Sequence, residues 1–183
     1  MPFALAHVKE AVKSFDDVVD RRVDRLRGHR GLDRVMYGAS ELGDWSLIWH
    51  LIGASQALLP GRDPMTAVRL SAILGVESLL VNGGIKRLFR RTRPIWDDEG
   101  APRPHNLRTP LSSSFPSGHA SAAFTATGVL AHGDPLWPLY YGVAVIVASS
   151  RVYVKIHHAS DVAAGALLGV ALGAAARHLW PTP

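Results

Sequence analysis

Ser150-Arg151-Val152-Tyr153-Val154-Lys155-Ile156-His157-His158-Ala159-Ser160-Asp161 brings a guanidinium, an imidazole and a carboxylate into one short, otherwise apolar run. His157 and Asp161 are four residues apart, so on a helix they share a face. A carboxylate there can hold one ring nitrogen and leave the other pointing outward. That arrangement prepares an imidazole as a nucleophile or a base. Arg151 presents a fork of donors that matches a phosphate. His158, three residues from Asp161, competes for the same carboxylate. The spacing alone equally describes a structural His–Asp pair.

Two earlier stretches change the weighting. In Lys86-Arg87-Leu88-Phe89-Arg90-Arg91-Thr92-Arg93-Pro94, Lys86 and Arg93 are seven residues apart. Two helical turns let them face one way, about 10 Å apart along the axis, and Pro94 stops the helix. A basic run flanking a membrane segment is the plainer reading. In Phe115-Pro116-Ser117-Gly118-His119, a loop runs into a helix start. Ser117 suits the N-cap, and Gly118 allows close approach of backbone to a ligand. The free amides and helix dipole there favour an anion, beside which His119 would sit. The plainer reading is an N-cap with a surface histidine.

Outward from these stretches, the chain is mostly apolar. Five segments, about 45–60, 65–85, 118–132, 136–150 and 160–176, are joined by short loops except over 86–117. Each uninterrupted run is shorter than the roughly 20 residues of a spanning helix, and periodicity does not separate a membrane bundle from a buried soluble one. Two features favour the membrane. Trp45, Trp49, Trp137, Tyr140, Tyr141 and Trp180 sit near segment ends, as an interfacial belt would. Small residues such as Ala163-Ala164-Gly165-Ala166 permit close helix packing in lipid. Residues 3–27 read as an amphipathic helix, with Leu5, Val8, Val12, Phe15, Val19 and Leu26 at helical spacing and Gly28 to Gly31 ending it. That helix packs on the bundle, lies on a membrane surface or forms a coiled-coil seam. The expected organisation is one domain over 1–183, with an N-terminal helix and linker to residue 43 and a helical bundle over 44–180.

The formal charge of +5 suits an anionic partner. With no cysteine, disulfides and thiolate metal sites are excluded. Met1 to Asp20 carry acids and no continuous apolar core, so no signal peptide is expected. Even with Lys86, Arg93 and Arg151 set aside as chemistry, the basic residues gather in 1–43, 86–117 and 150–158, whereas only Arg62 and Arg177 lie clearly on the other side. The positive-inside rule then puts both basic loops on the cytoplasmic face.

In order, the chain reads Lys86-x6-Arg93-Pro94, Pro116-Ser117-Gly118-His119 and Ser150-Arg151-x5-His157-x3-Asp161. This triple resembles the type 2 phosphatidic acid phosphatase (lipid phosphate phosphatase) superfamily, over about residues 45–176. The resemblance implies an all-α, membrane-embedded bundle of about five apolar helices plus the N-terminal amphipathic helix. It implies His157 as the nucleophile that forms a phosphohistidine, with Asp161 holding its far nitrogen. His119 would protonate the leaving oxygen and then deprotonate water. Lys86, Arg93 and Arg151 would bind the phosphoryl oxygens, with Ser117 and the Gly118 amide adding hydrogen bonds. Three fixed cations would take the place of a metal, so no cofactor is expected. The partners implied are a lipid phosphate and the membrane, not nucleic acid. The family's soluble acid phosphatases and haloperoxidases share this site, but the first are usually exported and the second are larger.

The active site would lie on the cytoplasmic face of the cell membrane, with the lipid tail held in the bilayer. The short Ala-, Gly- and Arg-rich chain also resembles the actinobacterial branch that dephosphorylates decaprenylphosphoryl-5-phosphoribose. A prenyl diphosphate, phosphatidic acid or phosphatidylglycerophosphate would meet the same catalytic groups. A phosphotransferase would use the same phosphohistidine with an alcohol. A non-enzymatic anionic-lipid binder would leave His119, His157 and Asp161 unexplained. Glu77 and His50 interrupt apolar segments and either line a functional cavity or pair with a neighbour such as Arg69. Asp44 is expected to cap the first segment. Residues 95–115, with Trp96, read as a lid, a substrate-access loop or a connector, and His105, His132 and His178 as surface histidines.

Overall fold

A computed structural model describes residues 2–94 and 112–181, and the described residues are helical with no strand. Seven α-helices follow one another: α1 (Pro2–Asp24), α2 (Arg30–Leu42), α3 (Leu47–Ala57), α4 (Thr66–Ser78), α5 (Gly118–Leu130), α6 (Trp137–Tyr153) and α7 (Ala159–Leu179). Helices α3 to α7 are the five apolar segments expected. Helix α4 runs on through a π-turn, Leu79–Gly84, and a 3-10 turn, Ile85–Leu88, which delivers Lys86 to the end of the bundle. The stretch 95–111, with Trp96 and His105, lies outside the described residues.

The outer faces separate a membrane bundle from a soluble one. Val68, Val76, Leu79, Leu139, Leu167 and Val170 are all exposed. A soluble bundle would put polar residues there. Thr66–Leu88 and Ala159–Leu179 are long and apolar enough to cross a membrane. The core between the helices is built from Trp49, Leu70, Leu74, Tyr140, Val147 and a set of small α5 residues, Ala122, Ala123 and Ala126. Trp49 and Tyr140 therefore do not belong to the aromatic belt expected of them. Both are almost wholly buried, and the Tyr140 hydroxyl donates to Asp134 at 3.0 Å. Trp45, Trp137 and Trp180 remain exposed.

Helices α5 and α7 come closest. Gly165, Gly169 and Gly173 recur every fourth residue on α7 and face α5. A Cβ at Gly165 or Gly169 would collide with the carbonyl oxygen of Ser117 or Ser121, and one at Gly173 would lie 3.1 Å from Thr125 O. This small-residue seam brings the start of α5 against the start of α7, where the Ser117 amide donates to Asp161 O at 3.0 Å. Gly169→Ala must push the helices apart. It is expected to cost about 1–3 kcal/mol, read as a lower Tm in detergent; an unchanged Tm would contradict the seam.

The expected linker before residue 43 is largely a helix. Gly28, with φ of +87°, turns the chain after α1, and α2 begins two residues on. Gly31 and Gly38 inside it, with Gly28 and Gly43 at its borders, hid it, because glycine weakens helix propensity. Docking supplies what propensity lacks: Tyr37 is buried and stands edge-on to Tyr153, centroids 6.4 Å apart.

Helix α1 docks by its polar side. Asp16 is buried and accepts from the Ser160 amide at 2.8 Å and from Arg91 at 2.5 Å. Asp20 and Asp24 reach Arg27 and Lys155. The apolar stripe Val8, Val12 and Phe15 faces outward. Of the three roles weighed for this helix, packing on the bundle is the one seen, made by its polar side while Val8, Val12 and Phe15 stay outward.

Candidate active site

The α4 segment with its π- and 3-10 turns, the start of α5, the end of α6, the turn before α7 and residues 43–50 meet around one cavity of about 510 Å³. Each element arrives for a local reason. Ser117 N-caps α5, its Oγ accepting from the Ala120 amide at 3.5 Å, so His119 falls in the first turn. Asp161 sits in the first turn of α7 and accepts from the His158 amide at 2.9 Å. That capping contact turns the chain between α6 and α7 and holds His157 beside the cavity.

Lys86, Arg93, Gly118, His119, Arg151 and His157 all line this space. Gly118 is required by its surroundings, since a Cβ there would lie 2.8 Å from Asn82 Oδ1 and 3.4 Å from Lys86 Nζ. Ser117 and Asp161 are fully buried behind the lining. The Ser117 hydroxyl is engaged as a cap, and Asp161 stands behind His157, with Oδ2 3.7 Å from Nδ1. On the cavity side, Arg93 Nη1 lies 3.2 Å from His157 Nε2. A guanidinium only donates, so this contact calls for the lone pair on Nε2 and the hydrogen on Nδ1, which faces Asp161 beyond hydrogen-bond distance. His158 turns to Thr92 O at 3.3 Å, so of the two adjacent histidines it is His157 that lines the cavity.

Burial holds the His157 imidazole far below its usual 6.5, at about 3. Arg151, Arg93 and Lys86 push the same way, and Asp161 opposes them. At neutral pH the empty site therefore presents an uncharged imidazole with a free lone pair, surrounded by cations. Arg151 is buried and donates to Ser40 Oγ, and its Nε has no hydrogen-bond partner. A buried donor of that kind is completed by an incoming acceptor.

Three partners escaped the sequence. Asp44, expected to cap α3, instead holds the other histidine: its Oδ1 lies 2.9 Å from His119 Nε2. Burial alone would raise the Asp44 carboxyl, but the hydrogen bond and charge of His119, with Arg151 nearby, hold it below the usual range. Arg91, counted only as a topological charge, donates to Asp161 Oδ1 at 2.7 Å and to Asp16. It ties α1 to the carboxylate behind His157. No short-range signal marks any of these pairs.

Two imidazoles, each backed by a carboxylate, and three cations around one space form an arrangement suited to phosphoryl transfer. The PAP2 superfamily model matches residues 66–182, which carry all of these groups except Asp44 and the α1–α2 contacts. The chain belongs to the PAP2 superfamily. Among curated PAP2 relatives, decaprenylphosphoryl-5-phosphoribose phosphatase of Mycobacterium tuberculosis is 33% identical over 138 residues, 75% of this chain and 74% of that one. Phosphatidylglycerophosphatase B of Bacillus subtilis is 30% identical over 177 residues, 88% and 81% of the two chains. The crystal structure of the transmembrane PAP2 type phosphatidylglycerolphosphate phosphatase from Bacillus subtilis superposes with a TM-score of 0.71 at 27% identity. The match covers 92% of this chain and 86% of that one. The PAP2 match spans α4 to α7, and the contacts of Asp44, Arg91 and Asp16 are those seen in this structure.

Proposed function

We propose that this chain is a metal-independent lipid phosphate phosphatase that works through a phosphohistidine at His157. The observation that carries the reading is the convergence of Lys86, Arg93, Arg151, His119 and His157 on one cavity, with Asp161 behind His157. His157 Nε2 attacks phosphorus as the bond to the leaving oxygen breaks, and His119 gives that oxygen a proton. Water then attacks the phosphohistidine, His119 takes its proton, and inorganic phosphate leaves with the N–P bond broken. Lys86, Arg93 and Arg151 balance the charge on the equatorial oxygens in both steps. Asp44 positions His119.

The chain is a membrane protein of apolar outer surface. In our reading the site opens to the cytoplasm. Helix α1, bearing Lys9, Lys13, Arg21 and Arg22, packs beside the catalytic end through Asp16, so the basic face and the site share one side. Its outward Val8, Val12 and Phe15 suit the bilayer interface there. An Asn106→Cys variant in sealed inside-out and right-side-out vesicles is expected to react with an impermeant maleimide only from the cytoplasmic side. Labelling only from the outer side would reverse the assignment.

For substrate, the M. tuberculosis relative favours decaprenylphosphoryl-5-phosphoribose. The longer coverage of the B. subtilis relative favours phosphatidylglycerophosphate as the second reading. Phosphate release in detergent with EDTA, over these two lipids, phosphatidic acid and prenyl mono- and diphosphates, separates them. Release with preference for the phosphoribosyl lipid is expected. Absence of release from every lipid would overturn the enzymatic reading.

A further inference from the structure

The cavity holds more polar groups than a phosphate engages. Beside the cationic cradle, a second part of its lining comes from α4 and its π-turn: Ser71, Gly75, Ser78 and Asn82, with Glu77 alongside. The intervals of four, three and four put the first set on one helical face. The row interrupts a segment that is otherwise apolar enough to cross a membrane, where polar groups are expensive and mark function. Some of these groups satisfy each other. Asn82 Nδ2 donates to Ser78 Oγ at 3.1 Å, and Ser71 Oγ lies 3.0 Å from His50 Nδ1.

Glu77 is different. Its side chain is 3% exposed and lines the cavity, and its Oε1 has no hydrogen-bond partner. The cation expected to pair with it, Arg69, bonds Asp63 at 2.8 Å instead. A buried carboxyl oxygen without a hydrogen-bond partner is costly. The cavity volume of about 510 Å³ lies in the range that encloses a whole small molecule. Ser121 and Lys86 are the groups whose influence reaches Glu77, and the Ser121 hydroxyl also has no hydrogen-bond partner, so a hydroxyl that both donates and accepts would complete the two together.

We propose that Glu77, with Ser78 and Asn82, forms a headgroup subsite that takes hydrogen bonds from hydroxyl groups on the alcohol side of the scissile phosphate ester. The enzyme then selects lipids whose terminal phosphate is carried on a polyol. This rests on the reading of the cavity as a phosphatase site. A headgroup hydroxyl completes Glu77, and a substrate without one leaves the buried carboxyl with only Ser121 and Lys86 near it. Sites of that kind reject the analogue lacking the hydroxyl far more strongly than apolar pockets reject a size change. Phosphatidic acid and prenyl diphosphates lack the hydroxyl, whereas glycerol- and pentose-linked phosphates carry it.

The test uses the full chain and matched lipids. Phosphatidylglycerophosphate is compared with its analogue built on propane-1,3-diol, and decaprenylphosphoryl-5-phosphoribose with its 2,3-dideoxy counterpart. Wild type is expected to favour the hydroxylated member of at least one pair by about tenfold or more in kcat/KM. Glu77→Met, which keeps length and removes the acceptors, should bring that ratio close to one, and Glu77→Gln, which keeps one acceptor oxygen, should restore part of it. Ser78→Ala, a milder change at an exposed position, should lower the ratio by about twofold to fivefold. It decides the matter if the Glu77 variants do not fold. Equal wild-type rates within both pairs, or variants that lower both members equally, would overturn the subsite and leave the phosphatase reading standing. No release from any lipid by wild type would overturn the phosphatase reading, and the subsite with it.

Discussion

His157→Ala is expected to lower phosphate release on the order of 10⁴-fold or more, because it removes the atom to which phosphorus is transferred. The other groups would still bind the lipid, so KM should change far less than kcat. Wild type quenched during turnover of a ³²P-labelled lipid should carry protein-bound phosphate that is stable to base and labile to acid, as a phosphoramidate is. His157→Ala should carry none. The acid side of the pH profile is part of the same expectation. The His157 pKa is lowered to about 3 by burial and by three neighbouring cations. A lowered pKa means that the reactive neutral form is already dominant above about pH 4. An acid limb near pH 6 should therefore follow the second ionisation of the substrate phosphate, and shift when a substrate of different phosphate pKa is used. A limb fixed at 6.5 for all substrates, or equal release by His157→Ala, would remove His157 from the nucleophile's role.

His119→Ala should produce a loss that depends on the leaving group. A lipid alcohol leaves as a strongly basic alkoxide unless it is protonated, so loss of the general acid should cost about 10² to 10⁴-fold with a lipid phosphate. p-Nitrophenolate needs no proton to leave. With p-nitrophenyl phosphate the first step should survive, and the second, in which water must lose a proton, should become limiting. The expected record is a burst of p-nitrophenol equal to the enzyme present, followed by slow turnover, with phosphoenzyme accumulating. Asp44, 2.9 Å from His119 Nε2, makes a graded version possible, since Asp44→Asn should move the basic limb of kcat without abolishing the burst. Equal losses with both substrates and no burst would assign His119 to binding rather than proton transfer.

Much of the site was legible because its information is local. The interval between His157 and Asp161, the N-cap at Ser117 and the two turns between Lys86 and Arg93 are set by helix geometry over a few residues. The bundle was legible too, since its five segments are apolar without needing a partner. The N-terminal region was read less well. A helix with an apolar stripe invites burial of that stripe, yet α1 docks through Asp16 and turns Val8, Val12 and Phe15 outward. The residues of α2 carried too many glycines to be recognised as a helix before Tyr37 met Tyr153.

The sequence by itself determined the candidate groups, their intervals and the segments that carry them, because each follows from the period of one helix or from one cap. The tertiary structure decided which groups meet. It chose His157 over His158, set Asp44 against His119 across 75 residues, and set Arg91 against Asp161 across 70. It also withdrew Arg69 from Glu77 and left that carboxylate facing the cavity. A charged residue in a loop reads the same whether water or a distant side chain satisfies it. Only the packing of helices far apart in the chain determines which of the two it meets.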